Sequence, residues 1–319
     1  MNFQDRTVLN VGRLPATLLD RLRQHFTLVD AQRPEDRAAL LARHGAQVQA
    51  LVTSAASGAE AALLDQLPAL QVISSFGVGL DKVPVAAAHA RHIPVGYTPD
   101  VLNDCVADHA FALLLACARR TAEADRWMRA GHWPQSTGPF PLGRKVSGAR
   151  LGLLGLGRIG QTIARRASGF DMTVRYHSRR PVAGVPWAHE PQLLALADWA
   201  DYLVVITSGG PQTRHLVDTP VLQALGPQGF LINVARGSVV DEAALVSALT
   251  QGTLGGAGLD VFEREPAGNP ALHTLERVVL TPHIASATQE TRQAMADRVV
   301  ENLLGYFGQG RLVTEVARG

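Results

Sequence analysis

Residues 151–160 read LGLLGLGRIG, and the order of features in that stretch decides the architecture expected of the chain. A short apolar run bounded by glycine has the length of a buried strand rather than of a helix. Gly155, Gly157 and Gly160 follow on the G-x-G-x-x-G spacing. A dinucleotide site needs it for three separate reasons: a tight turn, backbone approach to a pyrophosphate, and close packing of helix on strand. The amides that open the helix, around Arg158 and Ile159, would face the phosphates. Spaced glycines also occur in ordinary turns, so the motif gains its meaning from its surroundings.

The 319 residues predict about two domains, and 46% hydrophobic residues suffice for sizeable cores. A formal net charge of +2, with acids and bases interspersed and no basic tail, gives no electrostatic case for nucleic acid. Cys105 and Cys117 lie in one apolar helical run, far from any metal-like spacing, which suits a reducing, cytoplasmic setting without a metal site. The N-terminal MNFQDRTVLN carries no targeting signature. No segment approaches the roughly 18 apolar residues of a membrane span.

Upstream of the glycine stretch, strand-like runs at 8–11, 27–29, 48–53, 71–75 and 93–96 alternate with helical ones at 17–26, 35–44, 58–66 and 83–91. That alternation predicts βα units and a parallel sheet. FGVGLD, 76–81, falls at the carboxyl end of a predicted strand, where open α/β sheets place ligands, although its glycines also suit a plain turn. TPDVLN, 98–103, signals a helix start, and 104–126 reads as one long helix bridging two domains. Trp127 and then Trp133 introduce an exposed excursion over 131–143, which is either a partner surface or packs within the chain.

Downstream, strands are expected at 173–177, 202–207, 230–234, 258–261 and 278–281, with a last amphipathic helix over 289–307 returning to the first domain. This is the strand count of a doubly wound fold with the glycine motif in its first βα turn. The expectation is therefore α/β: two Rossmann-like or flavodoxin-like domains with parallel sheets. A cofactor domain at 100–287 would be inserted in a substrate domain made of 1–99 plus 288–319.

Which dinucleotide binds is decided at the end of the second strand, where NAD enzymes usually present an acid to the adenosine ribose. Here the chain reads Tyr176, His177, Ser178, Arg179, Arg180. A hydroxyl and two guanidinium groups suit a 2′-phosphate, which Arg binds through paired hydrogen bonds. The expected cofactor is NADP(H).

Three more blocks carry ionisable groups at strand ends: NVARGSVVDE at 233–242, GLDVFEREP at 258–266 and LTPHIA at 280–285. Together with FGVGLD and GLGRIG, in the same order and over nearly the whole chain, they resemble the signature blocks of the D-isomer-specific 2-hydroxyacid dehydrogenase family. The SRR turn and the FPLGRKVSG run at 140–148 are most similar to its NADPH-preferring glyoxylate/hydroxypyruvate reductases.

The resemblance implies that Arg236 grips the substrate carboxylate and polarises the 2-oxo group. His283 would give the proton in reduction, and Glu265 would be its carboxylate partner. Chemistry agrees: hydride arrival at a ketone leaves an alkoxide that needs a proton, and histidine exchanges protons near neutrality. A nearby carboxylate favours the imidazolium, and a planar Arg clamps an α-keto carboxylate.

By the same resemblance Asp260, Val234, Ala235 and Ala285 border the nicotinamide, the Val78 and Gly79 amides hold the substrate carboxylate, and Ser54, Phe76 and Leu102 set substrate size. Thr207, in ITSGGP at 206–211, stands where a leucine-proline pair is usual, which puts its contact with the cofactor in question. A homodimer is implied, with Trp133 or Trp127 reaching the partner's site.

The implied activity is NADPH-dependent reduction of a small 2-oxo acid to the D-2-hydroxy acid. Two alternatives stay open: a dinucleotide-sensing binding protein on the same fold, and a reductase for a bulkier substrate. A formate dehydrogenase is disfavoured by the carboxylate at Glu265.

Overall fold

The computed structural model describes residues 2–135 and 138–318; Ser136 and Thr137 of the expected excursion lie outside the described residues, as do Met1 and Gly319. The chain divides into two compact units, Met1–Leu102 with Thr288–Gly319, and Asn103–Ala287.

The first unit holds β1 (Phe3–Asn10), α1 (Ala16–His25), β2 (Phe26–Asp30), α2 (Pro34–His44), β3 (Val48–Ser54), α3 (Ala61–Asp65), β4 (Val72–Phe76), α4 (Val85–Ala90) and β5 (Val95–Gly96). Its parallel sheet runs β2-β1-β3-β4-β5. Leu9, Leu51, Ile73 and Val95 form a core with Leu64 and Leu67. Strands of such a sheet are buried on both faces, which is why they read as apolar runs rather than alternating ones.

The C-terminal helix Gln289–Gln309 belongs to this unit and is tied in by buried Asn302, whose Nδ2 donates to the Tyr97 carbonyl at 3.3 Å and whose Oδ1 accepts the Thr314 amide at 2.9 Å. Beyond the helix, the Val316 amide donates to the Val95 carbonyl, so the chain's last segment lines the β5 edge.

The second unit opens with α5 (Asn103–Arg119) and α6 (Thr121–Arg129). It continues through β6 (Arg150–Leu154), α7 (Arg158–Ala167), β7 (Thr173–His177), β8 (Ala188–His189), α8 (Leu193–Trp199) and β9 (Tyr202–Val205). Then come α9 (Thr219–Leu225), β10 (Phe230–Asn233), α10 (Glu242–Thr250), β11 (Gly256–Leu259) and β12 (Val278–Leu280). The sheet order is β12-β11-β10-β9-β6-β7-β8, all parallel. Its direction of winding reverses between β6 and β9, and the turn after β6 is the glycine motif, at the switch point where such sheets bind ligands.

The single helix expected over 104–126 is corrected. Arg120 adopts a left-handed backbone (φ 54°) between α5 and α6, and its guanidinium makes two hydrogen bonds to Glu123, at 2.9 and 2.7 Å. The two-residue strand β8 is an addition that no hydrophobic run announced.

Candidate active site

Each glycine of the motif meets a different surrounding. Gly155 has φ +108°, and a Cβ there would lie 2.9 Å from the Thr207 amide nitrogen, so the turn is both left-handed and pressed against the end of β9. A Cβ on Gly160 would meet the Gly155 carbonyl oxygen at 2.6 Å, which fixes how closely α7 packs on the turn. Gly157, the N-cap of α7, has nothing within 4 Å of an added Cβ, and no side chain caps the helix. An uncapped helix N-terminus facing open space, with Arg158 and Ile159 in its first turn, is the cradle an anion needs.

After β7 the chain turns through Ser178, Arg179 and Arg180. Ser178 Oγ donates to the Arg180 carbonyl at 2.6 Å and closes the turn. Both arginines are exposed, and Arg179 Nη1 donates to Gln212 Oε1 at 3.0 Å, joining the turn to the segment after β9 that contains Thr207.

The ionisable groups gather at the carboxyl ends of three neighbouring strands. Arg236 follows β10, Glu265 follows β11 and His283 follows β12. Because these strands are adjacent and parallel, their trailing loops share one edge.

Asn233 is buried and braces the first loop, its Oδ1 accepting the Ala235 amide at 3.1 Å and its Nδ2 donating to the Arg236 carbonyl at 3.0 Å. Arg236 Nη1 donates to the Ala235 carbonyl at 2.8 Å; Val234 and Ala235 are themselves buried. His283 Nδ1 and Glu265 Oε2 are 2.8 Å apart, and Glu265 Oε1 accepts the Phe262 amide at 3.1 Å. His283 sits in the left-handed region at φ 54°, its amide donating to the Asp260 carbonyl at 2.8 Å.

Asp260, fully buried, organises the loop that carries His283. Its Oδ1 accepts from Thr281 Oγ1 at 2.6 Å and from the Ile284 amide at 2.8 Å, with His109 Nε2 at 3.3 Å. Oδ2 accepts the Ala285 amide at 2.8 Å. Burial pushes the carboxyl up, but the hydrogen bonds from His109, Thr281 and the two amides outweigh it and hold the pKa below the ordinary carboxylate range. His109 stands in no glycine or charged motif, and Thr281, although it lies within LTPHIA, was assigned no role from the sequence.

Ser54, Phe76, Val78, Gly79 and Leu102 all belong to the first unit. Ser54, Phe76 and Leu102 are buried there, while Val78 and Gly79 are half-buried at the carboxyl end of β4. Arg292, on the C-terminal helix, lies over the Phe76 ring with its guanidinium carbon 5.6 Å from the centroid, and no motif had marked it. Of the two tryptophans, Trp133 is 66% exposed, whereas Trp127 packs edge-on against Phe140 at 5.6 Å. Among the described residues no group of three or more His, Cys, Asp or Glu is placed to hold a metal ion, and no helix is long and apolar enough to cross a membrane.

A doubly wound parallel sheet with a glycine cradle at its switch point, and a histidine–carboxylate pair at neighbouring strand ends, defines a dinucleotide-dependent oxidoreductase. Residues 111–285 match the D-isomer specific 2-hydroxyacid dehydrogenase NAD-binding domain, and the chain belongs to that family.

Among its relatives, glyoxylate/hydroxypyruvate reductase A of Arabidopsis thaliana is 45% identical over 97% of this chain and 98% of its own. The hydroxyphenylpyruvate reductase of Plectranthus scutellarioides is 47% identical over 86% and 88%. The solved structure of an NADPH-dependent glyoxylate/hydroxypyruvate reductase from Sinorhizobium meliloti, in complex with NADP and malonate, superposes with a TM-score of 0.92. It is 44% identical and covers 98% of this chain and 97% of that one.

Proposed function

We propose that the protein uses NADPH to reduce a small 2-oxo acid of the glyoxylate or hydroxypyruvate kind to the D-2-hydroxy acid. The observation that carries this reading is the His283–Glu265 pair, 2.8 Å apart, at the strand edge that also bears Arg236. The relatives named glyoxylate/hydroxypyruvate reductase support it.

The residues present fit the cofactor. The open side of Gly157 and the amides of Arg158, Ile159 and Gly160 would take the pyrophosphate, with Gly155 shaping the turn. Ser178, Arg179 and Arg180 would take the ribose 2′-phosphate. Val234, Ala235, Thr207 and Ala285 would border the nicotinamide end. Asp260, fully buried, would act at the nicotinamide end through the Ile284 and Ala285 amides that its carboxylate accepts. When bound, the reduced nicotinamide supplies the hydride.

The chain's own residues do the rest. Arg236 clamps the substrate carboxylate and orients the carbonyl, and the Val78 and Gly79 amides are assigned to substrate binding. Ser54, Phe76 and Leu102 set the room available to the substituent. With Nδ1 donating to Glu265, His283 Nε2 is the atom that delivers a proton to the carbonyl oxygen as it becomes an alkoxide; in oxidation it takes that proton back. Glu265 fixes the ring and stabilises the imidazolium.

Both the cytoplasmic setting and the homodimer belong to this reading. Met128, Trp133 and Leu142 are large exposed apolar side chains along the segment from α6 to β6, and a second copy would cover them, with Trp133 rather than Trp127 free to reach the partner. Sedimentation at micromolar concentration gives a dimer; a monomer discards this part.

A substrate panel tests the function: glyoxylate, hydroxypyruvate, pyruvate and phenylpyruvate, each with NADPH and NADH. Steady NADPH oxidation with the small acids is expected. Preference for phenylpyruvate favours the bulkier reading suggested by the hydroxyphenylpyruvate reductase. Tight NADPH binding without turnover of any acid identifies a dinucleotide sensor instead. In Arg179→Ala the kcat/KM preference for NADPH falls about ten- to a hundredfold, each charge-assisted hydrogen bond being worth about 1.5 to 3 kcal/mol; an unchanged preference rejects NADP(H).

A further inference from the structure

A second cluster of ionisable groups stands behind the histidine–carboxylate pair. Glu242, the first residue of α10, is 8% exposed, and its Oε1 accepts the backbone amide of Glu263. Glu263 in turn directs its own carboxylate to His215 Nε2, from the loop before α9, and His215 Nδ1 lies 3.9 Å from Asp241 Oδ2. The segment so held is the one that carries Glu265, whose Oε1 closes back on the Phe262 amide.

Its other side rests on the Arg236 loop. A Cβ at Gly237 would lie 1.9 Å from the Phe262 carbonyl carbon, so two backbones touch where no side chain fits. Carboxylates seldom stay buried without a task or a cation, and Glu242 has neither in the chemistry derived above.

We propose that Glu242 is a positioning residue for the Glu265–His283 pair, its buried carboxylate holding the 262–265 segment at the height from which Glu265 meets the imidazole. This rests on the reading of Glu265 and His283 as the acid–base pair. A backbone amide is a firmer anchor point than a side chain, because it fixes the peptide plane next to Phe262 and leaves Glu265 little freedom to swing. Misplacement of a reacting group by about 1 Å is enough to cost two orders of magnitude in rate.

Charge enters as well. Burial pushes the Glu242 carboxyl above the ordinary range, the Glu263 amide opposes this, and the Glu263 and Glu265 charges add to the rise. The charged groups that act on it are Glu263 and Glu265 on the held segment, with His215 and Asp241 joined to Glu263 one step further out. Once ionised, Glu242 adds negative charge behind Glu265.

Two variants of the full-length enzyme separate support from charge. Glu242→Leu removes the acceptor. It is expected to lower kcat about ten- to a hundredfold with KM for hydroxypyruvate changed by less than about threefold, and to speed hydrogen exchange at the Glu263 amide. Glu242→Gln keeps an acceptor oxygen. It recovers most of that kcat and the exchange protection, but its kcat/KM falls off on the alkaline side at a pH lower by about half a unit.

The proposal is overturned if Glu242→Leu exposes the Glu263 amide yet keeps kcat, if exchange there is unchanged, or if Glu242→Gln fails to restore kcat. Should Glu242→Leu not fold, the pH profile of Glu242→Gln decides, and a profile superposable on wild type rejects the coupling. Amide exchange is read without turnover. A wild-type protein that reduces no 2-oxo acid therefore counts against the function, and an unaltered Glu263 amide counts against the positioning.

Discussion

At the scale of single residues the clearest case is Asp260. Its family resemblance was legible in GLDVFEREP, but what holds it was not. His109 comes from α5 and Thr281 from the end of β12, and only the folded sheet brings both to one carboxylate. Replacing it by asparagine keeps the shape and removes the charge, so that an amide NH2 must face a donor. We expect Asp260→Asn to lose about 1–3 kcal/mol of unfolding free energy near neutral pH.

The sign of the pH dependence follows from the depressed pKa. The folded carboxyl ionises below the unfolded chain's value of about 3.9, so its stabilisation is present above that value and disappears as pH falls through the folded one. The gap in Tm between wild type and Asp260→Asn should therefore be widest at neutral pH and close in acid. A gap that is flat with pH would mean that packing, not charge, holds the His283 loop.

At the scale of elements, what the sequence revealed is what depends on near neighbours. Gly155, Gly157 and Gly160 could be assigned separate duties from spacing alone, because a left-handed turn, an open helix end and a close helix contact are each fixed within a few residues. Strands such as β9, Tyr202–Val205, were readable as short apolar runs between turns.

The break at Arg120 was not readable: the apolar face of α5 continues into the next helix without a proline or glycine, and the stop is made by a left-handed arginine pinned to Glu123. β8 is too short to have a period. The glycines allow a clean comparison. Gly160→Ala must push α7 off the Gly155 carbonyl and should lower Tm by several degrees, a small-to-large change in a packed contact costing about 1–3 kcal/mol. Gly157→Ala meets open space in an ordinary backbone conformation (φ −73°), so Tm should stay within about 1 °C while the Kd for NADPH rises at least about tenfold. Equal affinity in Gly157→Ala and wild type would place the pyrophosphate elsewhere.

At the scale of the whole molecule, hydrophobic patterning told how many βα units there are but not their order in the sheets, since β6 pairs with both β7 and β9 through contacts distant in sequence. It also could not show that the two ends of the middle segment meet. Cys105 Sγ lies 3.1 Å from the Ala285 carbonyl, so the two ends of the segment 103–287 stand side by side. That segment also has a core of its own, with Leu203, Val205, Leu231, Val239, Leu259 and Val278 buried together, and a complete seven-stranded sheet.

An inserted segment with adjacent ends and its own core is the kind that folds when excised. The isolated 103–287 segment should unfold in one cooperative transition and bind NADPH within about tenfold of the full chain, because every residue assigned to that cofactor lies inside it. It should reduce nothing, since Ser54, Phe76, Val78, Gly79 and Leu102 are gone. Calorimetric unfolding and NADPH titration decide the matter. A broad, heatless melt would show that the core needs the first unit, and a folded segment that ignores NADPH would show that the glycine cradle and the arginine turn do not suffice to hold the cofactor.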